Sequence, residues 1–275
     1  MKKILGLFVT LLLLAACGGN KPTATETVTA TIDSIQEKDT IDSVQEEETP
    51  PPAAADGLFD DFSFNFMRNK SFQKERVKFP LAWNDNGSEK TISEKEWKFT
   101  PLYIKRDVYT IIFDNEKAMT SATDTALKKV SVEMISLKTS IVKEYVFEKL
   151  RGAWMLTRIN TESVKQNVNS DFLTFYARFA KDKTYQQQCV SSTFNLSVID
   201  GDTEERITGI AEAAQWLSYS PEFPTDEITN VNYGQKYAPD GNRVFVVNST
   251  DGAMSSIITF AKKRGKWMVT KLENN

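Results

Sequence analysis

The clearest pattern of apolar and polar positions along this chain occurs twice. Val146–Arg158 reads Val-Phe-Glu-Lys-Leu-Arg-Gly-Ala-Trp-Met-Leu-Thr-Arg, and Thr259–Lys271, 113 positions later, reads Thr-Phe-Ala-Lys-Lys-Arg-Gly-Lys-Trp-Met-Val-Thr-Lys. In each copy two strand-like runs flank an Arg-Gly pair, and glycine accepts the positive φ that a tight hairpin turn requires. The pattern predicts two related halves, each closed by a β-hairpin.

Aromatic residues with the same offset predict helices at the start of each half. Phe62 and Phe66 lie one helical turn apart, and Phe175 and Phe179 repeat that spacing 113 positions on. Each pair would form one apolar stripe on a helix. Asp56 and Ser170 are the predicted N-caps of these helices. A short second helix follows in each half, and it carries Phe72 in the first half and Tyr185 in the second.

Each half is then predicted to form a hairpin, a third short helix and four strands. The third helices are expected to begin after Ser93 and Thr208 and to end near Trp97 and Trp216. The predicted strands are Val77–Trp83, Ser88–Ile92, Val108–Phe113, Val130–Leu137, Ile141–Lys149 and Ala153–Ile159, then Ser192–Ile199, Glu204–Ile207, Ile228–Gln235, Arg243–Asn248, Ser255–Lys262 and Lys266–Leu272.

The composition excludes several classes of function. The chain has no histidine, so Ser-His-Asp and Cys-His catalysis are excluded, as is a zinc site built from cysteine and histidine. We expect no metal and no cofactor. The net charge of -3 is small, and the body of the chain is nearly neutral, which argues against a nucleic-acid partner. Cys189 is expected to be a buried structural thiol, because no histidine is available to activate it.

The N-terminus carries a targeting pattern. Two lysines precede an apolar run at Ile4–Leu14, which is too short for a comfortable transmembrane helix, and Leu-Ala-Ala-Cys ends at Cys17. The motif resembles the lipobox of bacterial lipoproteins, which implies a signal peptide at 1–16 and acyl chains on Cys17 that anchor the protein in a membrane. An ordinary signal peptide with a chance cysteine is the alternative. Gly18 favours the outer membrane and leaves the leaflet open.

The acidic, proline-containing segment 17–57 is predicted to be a disordered tether. The lipobox, the tether and two halves that each end in Arg-Gly-x-Trp resemble the family called domain of unknown function 4348. The halves resemble the nuclear transport factor 2-like superfamily. The resemblance implies an α+β fold of two tandem cone-shaped halves, 58–165 and 166–275, each with N-terminal helices packed on a curved, mostly antiparallel sheet. It implies no activity.

Seven aromatic residues are candidates for lining a pocket between the helices and the sheet. They are Trp97, Tyr103, Tyr109, Trp154, Trp216, Tyr233 and Trp267. Core packing is the alternative for the tryptophans, because they recur in both halves. No residue is assigned a catalytic role, although Asp107, Tyr109 and Asp114 could in principle supply acid–base chemistry without histidine.

Three hypotheses for the function follow. The first is a non-enzymatic envelope lipoprotein whose halves form an internal pseudo-dimer that binds a small ligand or a protein partner. The second is a pocket enzyme that uses Asp and Tyr, and it requires a buried carboxyl group facing a Tyr or Arg across a closed cavity. The third is a purely architectural envelope protein, which predicts that side chains fill the cavities of both halves.

Overall fold

The computed structural model describes residues 56–239 and 241–275. The predicted signal peptide, the lipidation site at Cys17 and the tether up to residue 55 lie outside these residues. The described α-helices are α1 Phe59–Arg68, α2 Lys70–Glu75, α3 Ser170–Phe179, α4 Lys183–Gln188 and α5 Trp216–Tyr219. Among the described residues, none of the helices is long and apolar enough to cross a membrane.

Within the described residues, twelve β-strands form the rest of the regular structure, together with 3-10 turns at Glu116–Thr123, Val164–Gln166 and Ala213–Gln215. The strands are β1 Val77–Asp85, β2 Ser88–Ile92, β3 Val108–Phe113, β4 Lys129–Ser136, β5 Ile141–Leu150, β6 Ala153–Ser163, β7 Val190–Ile199, β8 Arg206–Glu212, β9 Glu227–Asn232, β10 Arg243–Ser249, β11 Ser255–Lys263 and β12 Lys266–Asn274.

The strands form two six-stranded sheets that exchange one strand each. The first sheet has the order β2-β1-β6-β5-β4-β9, and the second has the order β3-β10-β11-β12-β7-β8. Strand β3 of the first half therefore pairs with β10 of the second, and β9 of the second half pairs with β4 of the first. Pairing is antiparallel except between β1 and β6 and between β7 and β12. The fold is α+β with two sheet-based halves that are joined by exchange.

The exchanged strands also contact each other directly. The Thr110 hydroxyl accepts a hydrogen bond from the Thr229 amide at 2.9 Å and donates one to the Thr229 carbonyl at 2.5 Å. The Thr229 hydroxyl in turn accepts a hydrogen bond from the Thr110 amide at 2.7 Å and donates one to the Thr110 carbonyl at 2.8 Å. This reciprocal pair is the signature of a local two-fold relation between the halves.

Each half has its own aromatic core, and the two cores have matching geometry. Phe59 packs edge-on against Trp154 at 5.2 Å between ring centroids, and Phe172 packs against Trp267 at 5.3 Å. Phe66 meets Phe147 at 5.1 Å and Phe179 meets Phe260 at 5.2 Å, again edge to face. These paired contacts show that the sequence repeat is a structural repeat.

The strand predictions are confirmed, with ends displaced by up to five residues, but the predicted N-caps are wrong. The third helix of the first half is only a turn, and that of the second half contains Trp216 as predicted but begins at Ala213 instead of after Thr208. The carboxylate of Asp56 bonds to Arg76 instead of capping α1, and Asn169, not Ser170, stands at the N-cap of α3. Ser93 bonds to Glu96 but begins only a hydrogen-bonded turn. Thr208 lies inside β8, because pairing with Ser197 on β7 satisfies its backbone.

Candidate functional site

A cavity of about 190 Å³ opens beside α1, at the place where the two halves meet. We call it the Asp60 pocket. Its lining consists of Asp60, Ser63, Phe64, Met67, Tyr103, Ile104, Tyr109, Tyr233, Ser249, Thr250 and Gly252. The first seven come from the first half, and the last four come from the second half, so neither half encloses the pocket by itself.

Helix spacing and strand exchange together position these side chains. Asp60, Ser63 and Met67 are three and four residues apart, so they share one face of α1. Tyr109 is the second residue of the exchanged strand β3, and Tyr233 directly follows the exchanged strand β9. The exchange therefore brings tyrosines that are more than a hundred residues apart to the same cavity.

The polar groups of the pocket are hydrogen-bonded to one another. The Tyr233 hydroxyl donates to the Asp60 carboxylate at 2.8 Å. The rings of Tyr103 and Tyr109 stack at 4.9 Å between centroids, and the ring of Tyr233 stacks on Phe113. Ser63 donates to the backbone carbonyl of Asp60 at 3.0 Å. The aromatic rings are thus fixed around a single carboxylate.

The electrostatics of the pocket come from one acid, Asp60, which is partly desolvated by the pocket but remains accessible to solvent. Burial raises the pKa of Asp60 above its ordinary value, although the hydrogen bond from Tyr233 opposes that shift. Burial likewise raises the pKa values of Tyr103, Tyr109 and Tyr233, so these hydroxyls stay protonated as donors near neutral pH. No lysine or arginine is among the lining residues. Within the described part of the chain, no group of three His, Cys, Asp or Glu could hold a metal ion.

The equivalent position in the second half is packed with apolar side chains. The aromatic contacts align α1 with α3, so that Leu173 stands where Asp60 does and Tyr176 stands where Ser63 does. Leu173 and Tyr176 are buried in the second core, and the Tyr176 hydroxyl donates to the Pro224 carbonyl at 3.1 Å. The two halves share their core contacts but differ at these two helix positions, which is where the first half forms its pocket.

The structure separates the seven candidate aromatic residues into three groups. It brings Tyr103, Tyr109 and Tyr233 together in the Asp60 pocket. It buries Trp154 and Trp216 in the two cores, with exposed fractions of 1% and 0%. The remaining two lie elsewhere: Trp97 packs against Phe79, and Trp267 lines a different cavity.

The acidic residues considered for acid–base chemistry do not reach the pocket. Asp107 is exposed, and its backbone carbonyl accepts a hydrogen bond from the Thr250 amide at 3.0 Å. Asp114 forms an ion pair with Arg243 at 3.2 Å. Sequence reasoning missed Asp60, because a single acid in a helix is usually solvated. The available signal was the contrast between Asp60 and Leu173 at equivalent positions of a repeat.

Comparison with known proteins identifies the class. The family model described as Domain of unknown function (DUF4348) matches residues 37–274, and the chain belongs to that family. The crystal structure of an NTF2-like protein from Bacteroides fragilis is similar, with 33% sequence identity and a TM-score of 0.74. That match covers 82% of this chain and 99% of the other. No curated protein matches the chain.

Proposed function

We propose that this protein binds a small polar ligand in the Asp60 pocket and does so without catalysis. The observation that carries the proposal is the contrast between the halves. The first half has Asp60 and Ser63 where the second half fills the same space with Leu173 and Tyr176. Leucine is accepted at the equivalent position of the second half, so an acid at the cavity that accepts a hydrogen bond from a tyrosine favours a functional role.

The lining indicates the chemistry of the ligand. One carboxylate, three tyrosines and no basic side chain favour a molecule that donates hydrogen bonds. An ammonium group fits best, because Asp60 offers an opposite charge and the tyrosine rings offer π faces. Such a cation would favour the ionised form of Asp60 and would bring its raised pKa back down. The volume restricts the ligand to a small molecule.

We also propose that the protein acts at the bacterial cell envelope, anchored by acyl chains on Cys17 and facing away from the outer membrane on its acidic tether. The lipobox-like Leu-Ala-Ala-Cys supports this location. Metabolic labelling with an alkyne fatty acid tests it. The wild-type chain should incorporate label and sediment with membranes, whereas Cys17→Ser should do neither. Label retained by the Cys17→Ser variant would contradict the anchor.

Native mass spectrometry of the full chain tests ligand binding. We expect an additional mass that survives gentle ionisation and disappears on denaturation. The double substitution Asp60→Leu with Ser63→Tyr, which copies the second half, should remove that mass while the chain stays folded. Asp61→Asn is the matched control, because Asp61 is the neighbouring acid on α1 and does not line the pocket. An additional mass that persists in the double variant would contradict the proposed site.

The second candidate function is acid–base catalysis by Asp60 and Tyr233. The 2.8 Å hydrogen bond between them places a carboxyl group and a tyrosine at the same cavity. The same spectra distinguish the two functions. A binding protein should carry the same mass in the wild type and in a Tyr233→Phe variant. An enzyme should carry unconverted substrate only in the variant.

A further inference from the structure

A second cavity, of about 470 Å³, opens in the second half between α3, α4 and the turn of the β11–β12 hairpin. We call it the Trp267 cavity. It shares no lining residue with the Asp60 pocket. Aromatic and cationic side chains dominate its wall, namely Phe175, Arg178, Tyr185, Lys266 and Trp267, with Cys189 among them. Its size lies within the range of small-molecule sites.

The first half shows what occupies the equivalent place. There the Asp56 carboxylate accepts hydrogen bonds from the Trp154 amide at 2.9 Å and from both terminal nitrogens of Arg76 at 2.9 and 3.0 Å. The Arg76 guanidinium lies over the Phe72 ring at 4.7 Å. The first half therefore contains a complete carboxylate site, filled by its own chain.

The second half has two corresponding hydrogen-bond donors, a tryptophan backbone amide and a guanidinium group. Trp154 pairs with Lys149 just beyond one Arg-Gly turn, and Trp267 pairs with Lys262 just beyond the other. The alternation of an antiparallel ladder points both tryptophan amides away from the partner strand. Arg178 lies 3.9 Å over the ring of Tyr185, the residue that corresponds to Phe72. A guanidinium thus lies over the equivalent ring in both halves, but Arg178 belongs to α3, whereas Arg76 directly follows α2.

The second half lacks the carboxylate. Asn169 stands at the position of Asp56, and its side-chain oxygen accepts a hydrogen bond from Arg243 at 2.9 Å instead. Cys189 stands at the position of Arg76, and its shorter side chain leaves the space open. Asp171 lines the cavity but is engaged by the Trp267 indole at 2.9 Å and by Lys262 at 3.0 Å. Within residues 56–239 and 241–275, no acidic side chain forms an ion pair with Arg178.

We propose that the Trp267 cavity binds a small carboxylate ligand with an aromatic or aliphatic body. The ligand carboxylate takes the place that Asp56 has in the first half, where it accepts from the Trp267 amide and pairs with Arg178 and Lys266. The apolar body packs against Phe175, Tyr185 and the Trp267 indole. The site is independent of the Asp60 pocket, and it has the opposite charge preference.

An NMR titration of the ¹⁵N-labelled full chain with phenylacetate tests the proposal. Phenylacetate should shift the Trp267 amide signal, and phenylacetamide, its neutral isostere, should bind at least about ten-fold more weakly, because a charge-assisted bond is lost. Arg178→Gln should weaken phenylacetate binding by a similar factor. Cys189→Arg rebuilds the first-half arrangement and fills the cavity, so it should abolish binding.

Arg68→Gln is the matched control, because Arg68 also lies in the last turn of its helix and stacks on a phenylalanine ring. It should leave the titration unchanged. Arg178 is exposed, so its replacement keeps the chain folded even where Cys189→Arg does not. Equal affinity for phenylacetate and phenylacetamide, equal affinity in wild type and Arg178→Gln, or an unmoved Trp267 amide would each overturn the proposal.

Discussion

Arg151 and Gly152 form the turn of the first closing hairpin with φ values of 53° and 88°, and Arg264 and Gly265 repeat them with 51° and 76°. Two consecutive positive φ values are typical of the type I′ turn, which matches the twist of the flanking strands. Glycine adopts this conformation without strain, whereas a residue with a Cβ atom loses about 1–2 kcal/mol. At the scale of single residues, the backbone requires the glycine of each repeat.

Gly152→Ala is therefore expected to lower the free energy of unfolding by about 1–2 kcal/mol. Gly201→Ala is the matched control. An added Cβ would meet no atom within 4 Å at either position, and only Gly152 has a positive φ. Urea denaturation followed by circular dichroism measures both variants. Equal losses in the two variants would show that φ is not the cause.

Strands β3 and β9 are edge strands of different sheets, and each covers the open edge of the other. Side chains of Thr229 and Asn230 accept hydrogen bonds from the amides of Thr110 and Ile112 on β3, at 2.7 and 2.9 Å. The Tyr237 hydroxyl donates to the Ile112 carbonyl at 2.9 Å. An exposed edge invites pairing with other chains, so this arrangement protects both edges within one molecule.

The reciprocal threonine bonds should behave as a coupled unit. Thr110→Val and Thr229→Val are each expected to lower the free energy of unfolding by about 1–3 kcal/mol, because each leaves buried polar groups of the other strand without partners. The double variant should lose less than the sum of the single losses, because either substitution alone lets the two strands move apart and so weakens the bonds of the other threonine. A double-mutant cycle by urea denaturation measures this coupling, and strict additivity would contradict it.

At the scale of the whole molecule, a buried carboxyl group joins the halves. Both oxygens of Glu133 on β4 accept hydrogen bonds, from Asn167 at 2.8 Å and from Asn230 at 2.7 Å. Burial, and to a smaller extent the nearby Glu144 and Glu162, raise the pKa of Glu133 to about 7, although the hydrogen bonds from Asn230 and Asn167 oppose that shift. Tyr237 donates to the backbone and accepts from Asn230 within the same network. This network spans the junction that strand exchange creates.

The raised pKa predicts a falling stability with rising pH. Between about pH 4.5 and 7 the folded state keeps the Glu133 proton that the unfolded state has released, so the free energy of unfolding should fall across this window by about 3 kcal/mol. Glu133→Gln should reduce the slope of the free energy of unfolding against pH. Glu75→Gln, at an exposed glutamate, should leave it unchanged. Urea titrations at several pH values measure the slope, and the same slope in all three proteins would contradict the assignment.

The exchange also predicts that the halves do not fold separately. Residues 56–165 expressed alone would leave β4 without β9 and β3 without β10, which exposes Val132 and Ile112. We expect poor chemical-shift dispersion for this fragment, and a single cooperative unfolding transition for the full chain's folded body. A well-dispersed spectrum of the isolated half would show that the exchange is dispensable.

Much of the fold follows from local pattern. The Arg-Gly turns, the aromatic stripes of α1 and α3 and the alternating strands are fixed by interactions between residues near in sequence, so the repeat predicts their positions. The predicted helix start failed at Thr208, because strand pairing outweighed a local capping signal, and at Ser93 the capping signal produced only a turn. The sequence identified the tyrosines of the Asp60 pocket as candidates, but it did not identify Asp60, since its contact with Tyr233 joins residues that are distant in the chain.

The chain by itself determined that there are two related halves and which segments form strands. Only the tertiary structure decided that β3 and β9 change places, because pairing partners are selected by long-range packing and not by local propensity. The exchange decided in turn that Tyr109 and Tyr233 meet at Asp60. Repeated residues form the scaffold of this protein, and the Asp60 pocket and the Trp267 cavity both lie where the repeat is broken.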